Sequence, residues 1–282
     1  MRIGDYDLYS IETSEFSLDG GAMFGIIPKP IWEREAPSDA LNRIDMVTRS
    51  LLLCSDEKKI LIDTGNGTKW EEKYRDIYNI DTSRYNIENS LTKYGFSADD
   101  ITDIINTHLH FDHAGGNTKI DDGSIVPTFP NAKYWVTKEH WELANHPSQK
   151  DSGSFIEHDW KVLAENGMIE TVNGNEPFIK GIDSYITQGH TAGLLHPMIS
   201  DGTKTLFYGA DIFPLAPHIS IPWVMAYDVQ PVVTMKEKEI LLPKMQDEEW
   251  ILFLEHDPNI QACTVHQDGK HFKMNESVLI SE

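Results

Sequence analysis

Short apolar runs separated by polar turns recur along the chain, and this pattern predicts a structure rich in β-strands. The runs at residues 47–54 and 59–62 flank a polar tetrapeptide, which predicts a β-hairpin. Further apolar runs lead into a histidine or an aspartate; they occupy residues 101–105, 182–186, 206–211 and 250–257. Residues able to bind a metal or a substrate therefore gather where strands are predicted to end.

Helical spacing of apolar residues marks the segments between these strands. It predicts helices at residues 87–95, 138–145, 159–166 and 236–242, and the first and third of these stop at a glycine. Strands in two groups with helices beside each group are typical of an α+β fold. We expect an αββα sandwich, in which two sheets pack face to face between outer helices.

Length and composition favour one domain over residues 1–282, because 40% hydrophobic residues suffice for a single large core. Residues 20–45 include a stretch rich in proline and charge, and we expect them to form an N-terminal arm or lid. The sequence has no signal-peptide pattern and no apolar run of about 18 residues, so a transmembrane helix is not expected. Two distant cysteines do not indicate a disulfide framework, and we expect a cytoplasmic protein.

The charge balance restricts the class of partner. The chain has 24 lysines and arginines against 45 aspartates and glutamates, a formal net charge of −21. Proteins that bind nucleic acid rely on basic surfaces, so neither nucleic acid nor an anionic membrane is expected as a partner. A small molecule is the expected ligand.

The densest polar cluster follows the apolar run at residues 101–105. It contains His108, His110, Asp112 and His113. In extended backbone, His108 and His110 point to the same side, whereas Asp112 and His113 come where the chain is expected to turn into a helix. Imidazole and carboxylate are the usual ligands of zinc, manganese and iron, so this order predicts two ligands for each of two metal ions.

Three later residues complete the predicted ligand set. His190, Asp211 and His256 each follow one of the predicted strands. We assign His108, His110 and His190 to one metal, Asp112, His113 and His256 to the other, and Asp211 to both. His266 is the alternative to His256, because it also follows a short apolar segment. The arrangement leaves open positions for water, as a catalytic site requires.

These motifs resemble those of the metallo-β-lactamase-fold hydrolases. The shared pattern is His-x-His-x-Asp-His at 108–113, Gly-His-Thr-x-Gly at 189–193, Gly-x-Asp at 209–211, a late histidine at 256 and Asp-Thr-Gly at 63–65. The resemblance implies the αββα fold and two divalent metal ions, with Zn²⁺ first and Mn²⁺ or Fe²⁺ as alternatives. Asp63 of this pattern is expected to support a ligating imidazole by accepting a hydrogen bond, with a role as a metal ligand as the alternative.

A finer resemblance is to the branch that contains quorum-quenching lactonases and methyl parathion hydrolase. It rests on residues 20–25, 222–228 and 253–257. The chain departs from the best-known acyl-homoserine lactonases at Pro214, where those enzymes carry a tyrosine three residues after the shared aspartate. It also has aspartate rather than cysteine at position 211, which argues against the β-lactamases that use a thiolate ligand.

Candidate substrate contacts are aromatic or imidazole side chains near these motifs. Phe24 and Trp223 are candidates for an apolar pocket wall, with ordinary core packing or a homodimer contact as the alternative. His218 follows Pro214 closely and is a candidate to replace the missing tyrosine, with a structural role as the alternative.

The sequence therefore predicts a dinuclear metal-dependent hydrolase that uses a metal-bridging hydroxide on a small ester-like substrate, a lactone first. Asp112 is the expected carrier of the proton to the leaving group. The alternatives are a phosphotriester or aryl-ester hydrolase, an iron-dependent oxidoreductase, and a non-catalytic metal-binding effector.

Overall fold

Side chains of two central strands, Arg43–Cys54 and Lys59–Ile62, point alternately into two separate hydrophobic layers. Leu51 and Leu53 pack into one layer, while Leu52 between them packs into the other. This period of two is expected of strands with both faces buried. The computed structural model, which describes residues 1–174 and 178–281, is organised around this arrangement.

The N-terminal half contains a mixed sheet and a separate hairpin. Its strands are β1 (Arg2–Ile3), β2 (Tyr6–Asp19), β3 (Arg43–Cys54), β4 (Lys59–Ile62), β5 (Asp103–Ile105), β6 (Thr118–Asp121), β7 (Ser124–Pro127), β8 (Lys133–Thr137) and β9 (Ile169–Val172). The sheet order is β1-β2-β3-β4-β5-β8-β9, and β6 and β7 pair with each other as a separate hairpin. Strands from β1 to β4 are antiparallel, whereas β4, β5, β8 and β9 are parallel.

The C-terminal half forms the second sheet. Its strands are β10 (Ile182–Thr187), β11 (Leu194–Ser200), β12 (Thr205–Tyr208), β13 (Ile251–Phe253), β14 (Ala262–Asp268) and β15 (His271–Val278), and they lie in that order. β12 and β13 are parallel, and the other neighbouring strands are antiparallel. The parallel pairing places the ends of β12 and β13 side by side.

Helices lie against both sheets. They are α1 (Gly20–Phe24), α2 (Lys29–Trp32), α3 (Glu72–Tyr78), α4 (Ile87–Lys93), α5 (Phe111–Ala114), α6 (Lys138–Asn145), α7 (Lys161–Glu165) and α8 (Pro231–Asp247). Leu91 of α4 and Leu163 of α7 pack with Leu52 on the outer face of the first sheet. On the second sheet, Tyr208 faces inward and donates to Arg49 O at 3.1 Å.

Phe207, next to Tyr208 in β12, points to the opposite face of the second sheet, where it stacks on Trp250 with ring centroids 5.9 Å apart. Trp250 follows α8 in the chain, and Leu242 of α8 belongs to the same buried cluster. Helices therefore cover the outer faces of two sheets that share a core. The predicted αββα sandwich is confirmed.

Residues 20–45 do not form an extended arm. The segment folds into α1 and α2 and buries Phe24 and Trp32, which pack with Phe16 and Met225 in a third hydrophobic cluster. Gly20 permits this packing, because a Cβ there would lie 2.4 Å from the Trp32 ring. Ile26 nevertheless remains 83% exposed. A lid motion or a dimer contact of this segment stays a prediction.

Several predicted elements have different lengths in the structure. The helix predicted at 236–242 runs over Pro231–Asp247, since proline is well tolerated in the first turn of a helix. The strand predicted at 206–211 ends at Tyr208, and that predicted at 250–257 covers only Ile251–Phe253. No helix among residues 1–174 and 178–281 combines the length and apolar character needed to cross a membrane.

His196 provides a test of the buried core of the second sheet. Its ring is fully buried between Thr187 Oγ1 at 2.8 Å and Tyr208 O at 3.0 Å, and burial lowers its pKa to about 4. The unfolded chain takes up a proton near pH 6.5, so this contribution to stability is present above that pH and is lost as the pH falls toward 4.

We predict that acidification from pH 7 to 5 lowers the free energy of unfolding of the wild type by roughly 2 kcal/mol more than that of His196→Gln. Denaturant titrations at both pH values measure this difference. His146→Gln, which changes an exposed histidine, should behave as the wild type does. Equal losses in the wild type and His196→Gln would contradict a neutral buried His196.

Candidate metal centre

Four loops that follow strands meet at one edge of the sandwich. They follow β5, β10, β12 and β13, and they carry His108, His110, Asp112, His113, His190, Asp211 and His256. The structure brings these seven predicted ligands together as two buried groups that share Asp211. His266 lies in β14 outside both groups.

The first group consists of His108, His110, His190 and Asp211. His110 Nδ1 lies 3.0 Å from His108 Nε2 and 3.3 Å from His190 Nε2. Asp211 Oδ2 lies 3.2 Å from His190 Nε2 and 4.0 Å from His108 Nε2. Three imidazole nitrogens and one carboxylate oxygen thus converge on one point, as the ligands of a single cation do.

The second group consists of Asp112, His113, His256 and Asp211. Asp211 Oδ1 lies 3.2 Å from His256 Nε2 and 3.4 Å from His113 Nε2. Asp112 completes the group, with Oδ1 at 3.8 Å from His113 Nε2 and Oδ2 at 3.7 Å from His256 Nε2. One oxygen of Asp211 therefore faces each group.

A strained turn directs Asp211 to this position. Ala210 has φ +41°, in the left-handed region that a residue with a Cβ seldom adopts. The Gly209 N–H donates to Phe253 O at 3.0 Å, which ties this turn to the end of β13. Strand β12 therefore ends abruptly, and the carboxylate turns into the space between the two groups.

Hydrogen bonds at the outer ring nitrogens fix the direction of three imidazoles. His190 Nδ1 donates to Asp228 Oδ1 at 2.9 Å, and His256 Nδ1 donates to Val47 O at 2.9 Å. A neutral imidazole with its proton on Nδ1 presents a lone pair at Nε2. Each Nε2 lies 3.2 Å from an Asp211 oxygen, a contact that needs either a proton on Nε2 or a cation between the two atoms.

His113 is held in the same way. Its Nδ1 donates to Asp63 Oδ2 at 3.1 Å, and Asp63 also accepts from Thr107 N at 2.7 Å and Thr107 Oγ1 at 2.6 Å. The structure thus places Asp63 beside a candidate ligand, and its supporting role stays a prediction. Glu255 Oε2 also lies 3.1 Å from His113 Nδ1.

Glu255 and Asp228 are two residues whose roles sequence reasoning missed. Both lie in segments that carry the finer resemblance, residues 222–228 and 253–257, but neither segment has a motif that reveals the imidazole partner. Burial, with the charge of Asp63 adding to it, raises the pKa of Glu255 to about 8. Burial opposes a charge on His113, yet Glu255 and Asp211 outweigh it and raise the pKa of His113 well above its ordinary value.

Electrostatics keep His108 and His110 neutral, whereas burial opposes a charge on His190 but Asp211 and Asp228 outweigh it and raise its pKa. Burial, aided by neighbouring imidazoles, lowers the pKa of His108 and His110 well below the ordinary value. Burial works against the charge of Asp211, but His113 and His190 lower the pKa of Asp211 well below its usual range. Binding of a divalent cation by this donor set would release the protons that His113, His190 and His256 retain beside Asp211 in the metal-free chain.

Residues 44–256 match the family model of the metallo-beta-lactamase superfamily. The matched region includes both groups of candidate ligands and covers most of the sandwich. The chain belongs to the metallo-beta-lactamase superfamily. The resemblance found in the sequence is therefore confirmed at the level of the superfamily.

Relatives within the superfamily include lactonases. The chain is 30% identical over 155 residues to N-acyl homoserine lactonase AiiA of Bacillus thuringiensis subsp. kurstaki, which covers 50% of this chain and 54% of that protein. It is 26% identical over 161 residues to an N-acyl homoserine lactonase of Bacillus cereus. The chain thus matches about half the length of these relatives.

Solved structures match over a longer stretch. A protein of Staphylococcus aureus described as a probable metal-dependent hydrolase has a TM-score of 0.87 at 26% identity, over 99% of this chain and all of that one. AidC, a dizinc quorum-quenching lactonase solved with the product N-hexanoyl-L-homoserine, has a TM-score of 0.79 at 24% identity, over 99% of this chain and 97% of its own. The second likeness shows a common fold.

The cavity in front of the two ligand groups has a volume of about 230 Å³. Its wall includes Met23, Tyr78, Phe111, Lys150 and Tyr227 in addition to the candidate ligands. A second cavity of about 410 Å³ adjoins it and shares Tyr78 and Phe111. The candidate metal centre is thus open to a small molecule from one side.

Phe24, His218 and Trp223 do not lie on this wall, which corrects the direct substrate contacts predicted for them. Phe24 stacks on His218 at 5.1 Å and contacts Trp223 edge-on at 5.5 Å. His218 Nε2 donates to Met23 O at 2.8 Å. Phe24 and Trp223 pack in the third hydrophobic cluster, and Met23 of the same cluster lines the cavity.

We predict that Asp228→Asn weakens the affinity for one metal ion by roughly ten- to a hundredfold, because it weakens the bond that orients His190. Asp63→Asn should weaken the affinity for the other ion to a similar extent, because Asp63 orients His113. Zinc titrations of the metal-free variants measure both constants. Asp183→Asn, which changes an exposed carboxylate of β10, is the control; unchanged zinc affinity in Asp228→Asn would contradict this role.

Proposed function

We propose that this protein is a dinuclear metal-dependent hydrolase that cleaves a small, neutral, ester-like substrate, with a lactone as the first candidate. The observation that carries the proposal is the position of Asp211, whose two oxygens face two separate groups of buried imidazoles. His108, His110 and His190 would hold one ion, and Asp112, His113 and His256 the other. Zn²⁺ suits these nitrogen and oxygen ligands, and Mn²⁺ or Fe²⁺ are alternatives.

Two divalent cations bound here would supply Lewis acidity for the substrate oxygen and a water that is acidic enough to react near neutral pH. The chain itself must orient the substrate and move protons. Asp112 lies on the cavity wall and is 7% exposed, so its carboxylate can hold a proton and pass it to the leaving oxygen.

Two phenols supply hydrogen-bond donors on the same wall. Burial, with the charge of Asp112 adding to it, raises the pKa of Tyr78, and burial with several neighbouring groups raises that of Tyr227. Both hydroxyls therefore stay protonated at neutral pH and can donate to a substrate oxygen. They provide what Pro214 cannot, since proline has no side-chain donor.

The apolar side chains that line the adjoining cavity support an apolar group on the substrate. Trp70, Tyr74, Tyr78, Phe111 and Ile156 line it. Aromatic and aliphatic surface of this kind binds acyl or aryl groups. The lactonase relatives and the lactonase structures with bound products support a lactone, whereas an aryl ester or a phosphotriester would fit the same surface.

The ammonium group of Lys150 is held by backbone carbonyls and offers no free donor to a substrate. Its ammonium group lies at the cavity wall but donates to three carbonyl oxygens, those of Ala226 at 2.9 Å, Tyr227 at 2.9 Å and Asp228 at 3.0 Å. An ammonium group has three hydrogens, so these contacts satisfy it. The net charge of −21 adds repulsion of polyanions such as RNA.

We predict that the active protein contains two metal ions per chain and that chelation abolishes its activity. Asp211→Ala should lose at least one ion and nearly all turnover, because it removes a ligand from both groups. Elemental analysis and kinetic assays of the same samples measure the two effects. An Asp211→Ala variant with two ions and a normal rate would contradict the assignment of Asp211 to both ligand groups.

We predict hydrolysis of lactones or aryl esters and little or no hydrolysis of β-lactams or RNA. Tyr74→Ala should raise KM for a lactone with a long acyl chain by roughly tenfold, with little effect on a short-chain lactone, because it removes apolar contact surface. Tyr85→Ala, outside both cavities, is the matched control. Efficient RNA or β-lactam cleavage with esters untouched would sink the proposal.

Metal analysis, an assay for oxidant consumption and the same substrate panel test the alternatives of another class. An iron-dependent oxidoreductase would purify with iron and consume an oxidant. A non-catalytic effector would bind metal yet fail on esters, lactones and phosphotriesters alike.

A further inference from the structure

His140 is a fully buried imidazole that lies beside the candidate metal centre without belonging to either ligand group. It occupies the first turn of α6, where its own N–H donates to Thr137 Oγ1 at 3.1 Å. Its ring centroid lies 5.9 Å from that of His108 and 6.5 Å from that of His110. His140 belongs to none of the sequence motifs that carry the candidate ligands.

Both ring nitrogens of His140 bind backbone groups. The Leu109 N–H donates to Nε2 at 2.8 Å, and Nδ1 lies 2.9 Å from Ala192 O. A carbonyl can only accept and an N–H can only donate, so the proton must sit on Nδ1 and the lone pair on Nε2. Burial keeps the ring neutral by lowering its pKa to about 4.

The two bonded backbone groups belong to two different ligand loops. Leu109 lies between His108 and His110, and Ala192 lies two residues after His190. One imidazole therefore joins the loop after β5 to the loop after β10. Thr137 strengthens the same junction, because its hydroxyl donates to Gly193 O at 2.6 Å.

We infer that His140 is a positioning residue that sets the distance between the two loops of the first ligand group, and thereby the affinity for the metal ion bound by His108, His110 and His190. This inference rests on the proposed dinuclear site. Neither nitrogen of His140 is free to bind the metal itself, because both are used in the junction. The second group is held by other contacts, those of Asp63 and Val47.

His196 is a matched control for this role. It too is fully buried, has a pKa lowered to about 4 by burial, and uses both nitrogens, toward Thr187 Oγ1 and Tyr208 O. Its partners lie in strands β10 and β12 rather than in the ligand loops. Losing His196 should cost stability, and losing His140 should in addition cost metal affinity.

The experiment is a zinc titration of metal-free wild type, His140→Ala, His140→Asn, His140→Gln and His196→Gln against a competing chelator. Asparagine can place its amide nitrogen near the Nδ1 position and keep the bond to Ala192 O, whereas glutamine can place its amide oxygen near Nε2 and accept from Leu109 N–H. We expect His140→Ala and His140→Asn to weaken the affinity for one zinc ion by at least tenfold and the affinity for the other by less than threefold. His140→Gln should recover part of the loss, because it keeps the bond to Leu109 N–H while Thr137 still binds Gly193 O of the other loop.

His196→Gln should lower the melting temperature while leaving both zinc affinities within threefold of the wild type. The positioning role alone would be overturned if the wild type binds two zinc ions and the His140 variants change neither affinity or lower both affinities equally. Wild type that binds one zinc ion would overturn the dinuclear proposal; the role of His140 would then be overturned only if that ion is also unaffected in His140→Ala.

Discussion

The carboxylate of Asp211 connects the two halves of the candidate centre, since each of its oxygens faces a different group of buried imidazoles. Burying a carboxylate among neutral rings is unfavourable unless positive charge accompanies it. Here the outer nitrogens of His190 and His256 donate to Asp228 and Val47 O, which leaves each inner nitrogen to hold either a proton or a cation beside Asp211. The arrangement is suited to cations between the rings, and the surrounding fold holds it in place.

The sandwich supplies that support through short loops that follow strands of both sheets. Two of these segments pass very close to each other: a Cβ at Gly115 would lie 2.2 Å from Asn66 O, and one at Gly116 would lie 2.3 Å from Thr64 O. Glycine is required at both positions because no other residue leaves room for the crossing backbone. The loop after Asp63 and the His-rich segment are thus locked together, and Asp63 can reach His113.

The local part of the site could be predicted from the sequence because its ligands lie close together in the chain. His108, His110, Asp112 and His113 form one short motif, and the strands before Asp211 and His256 are visible as apolar runs. The supporting residues could not be found in this way. Asp228 reaches His190 across 38 residues, and His140 reaches Leu109 across 31, so their roles depend on how loops approach one another in the folded chain. Phe24 and Trp223 show the opposite error, because aromatic residues near a motif more often fill the core.

The most direct test of the shared carboxylate is anomalous diffraction from crystals of the zinc-loaded protein. The account predicts two zinc peaks roughly 3.5–4 Å apart, with one Asp211 oxygen directed at each. His108, His110 and His190 should surround one peak, and Asp112, His113 and His256 the other. A single peak, or two peaks that do not share Asp211, would contradict the account.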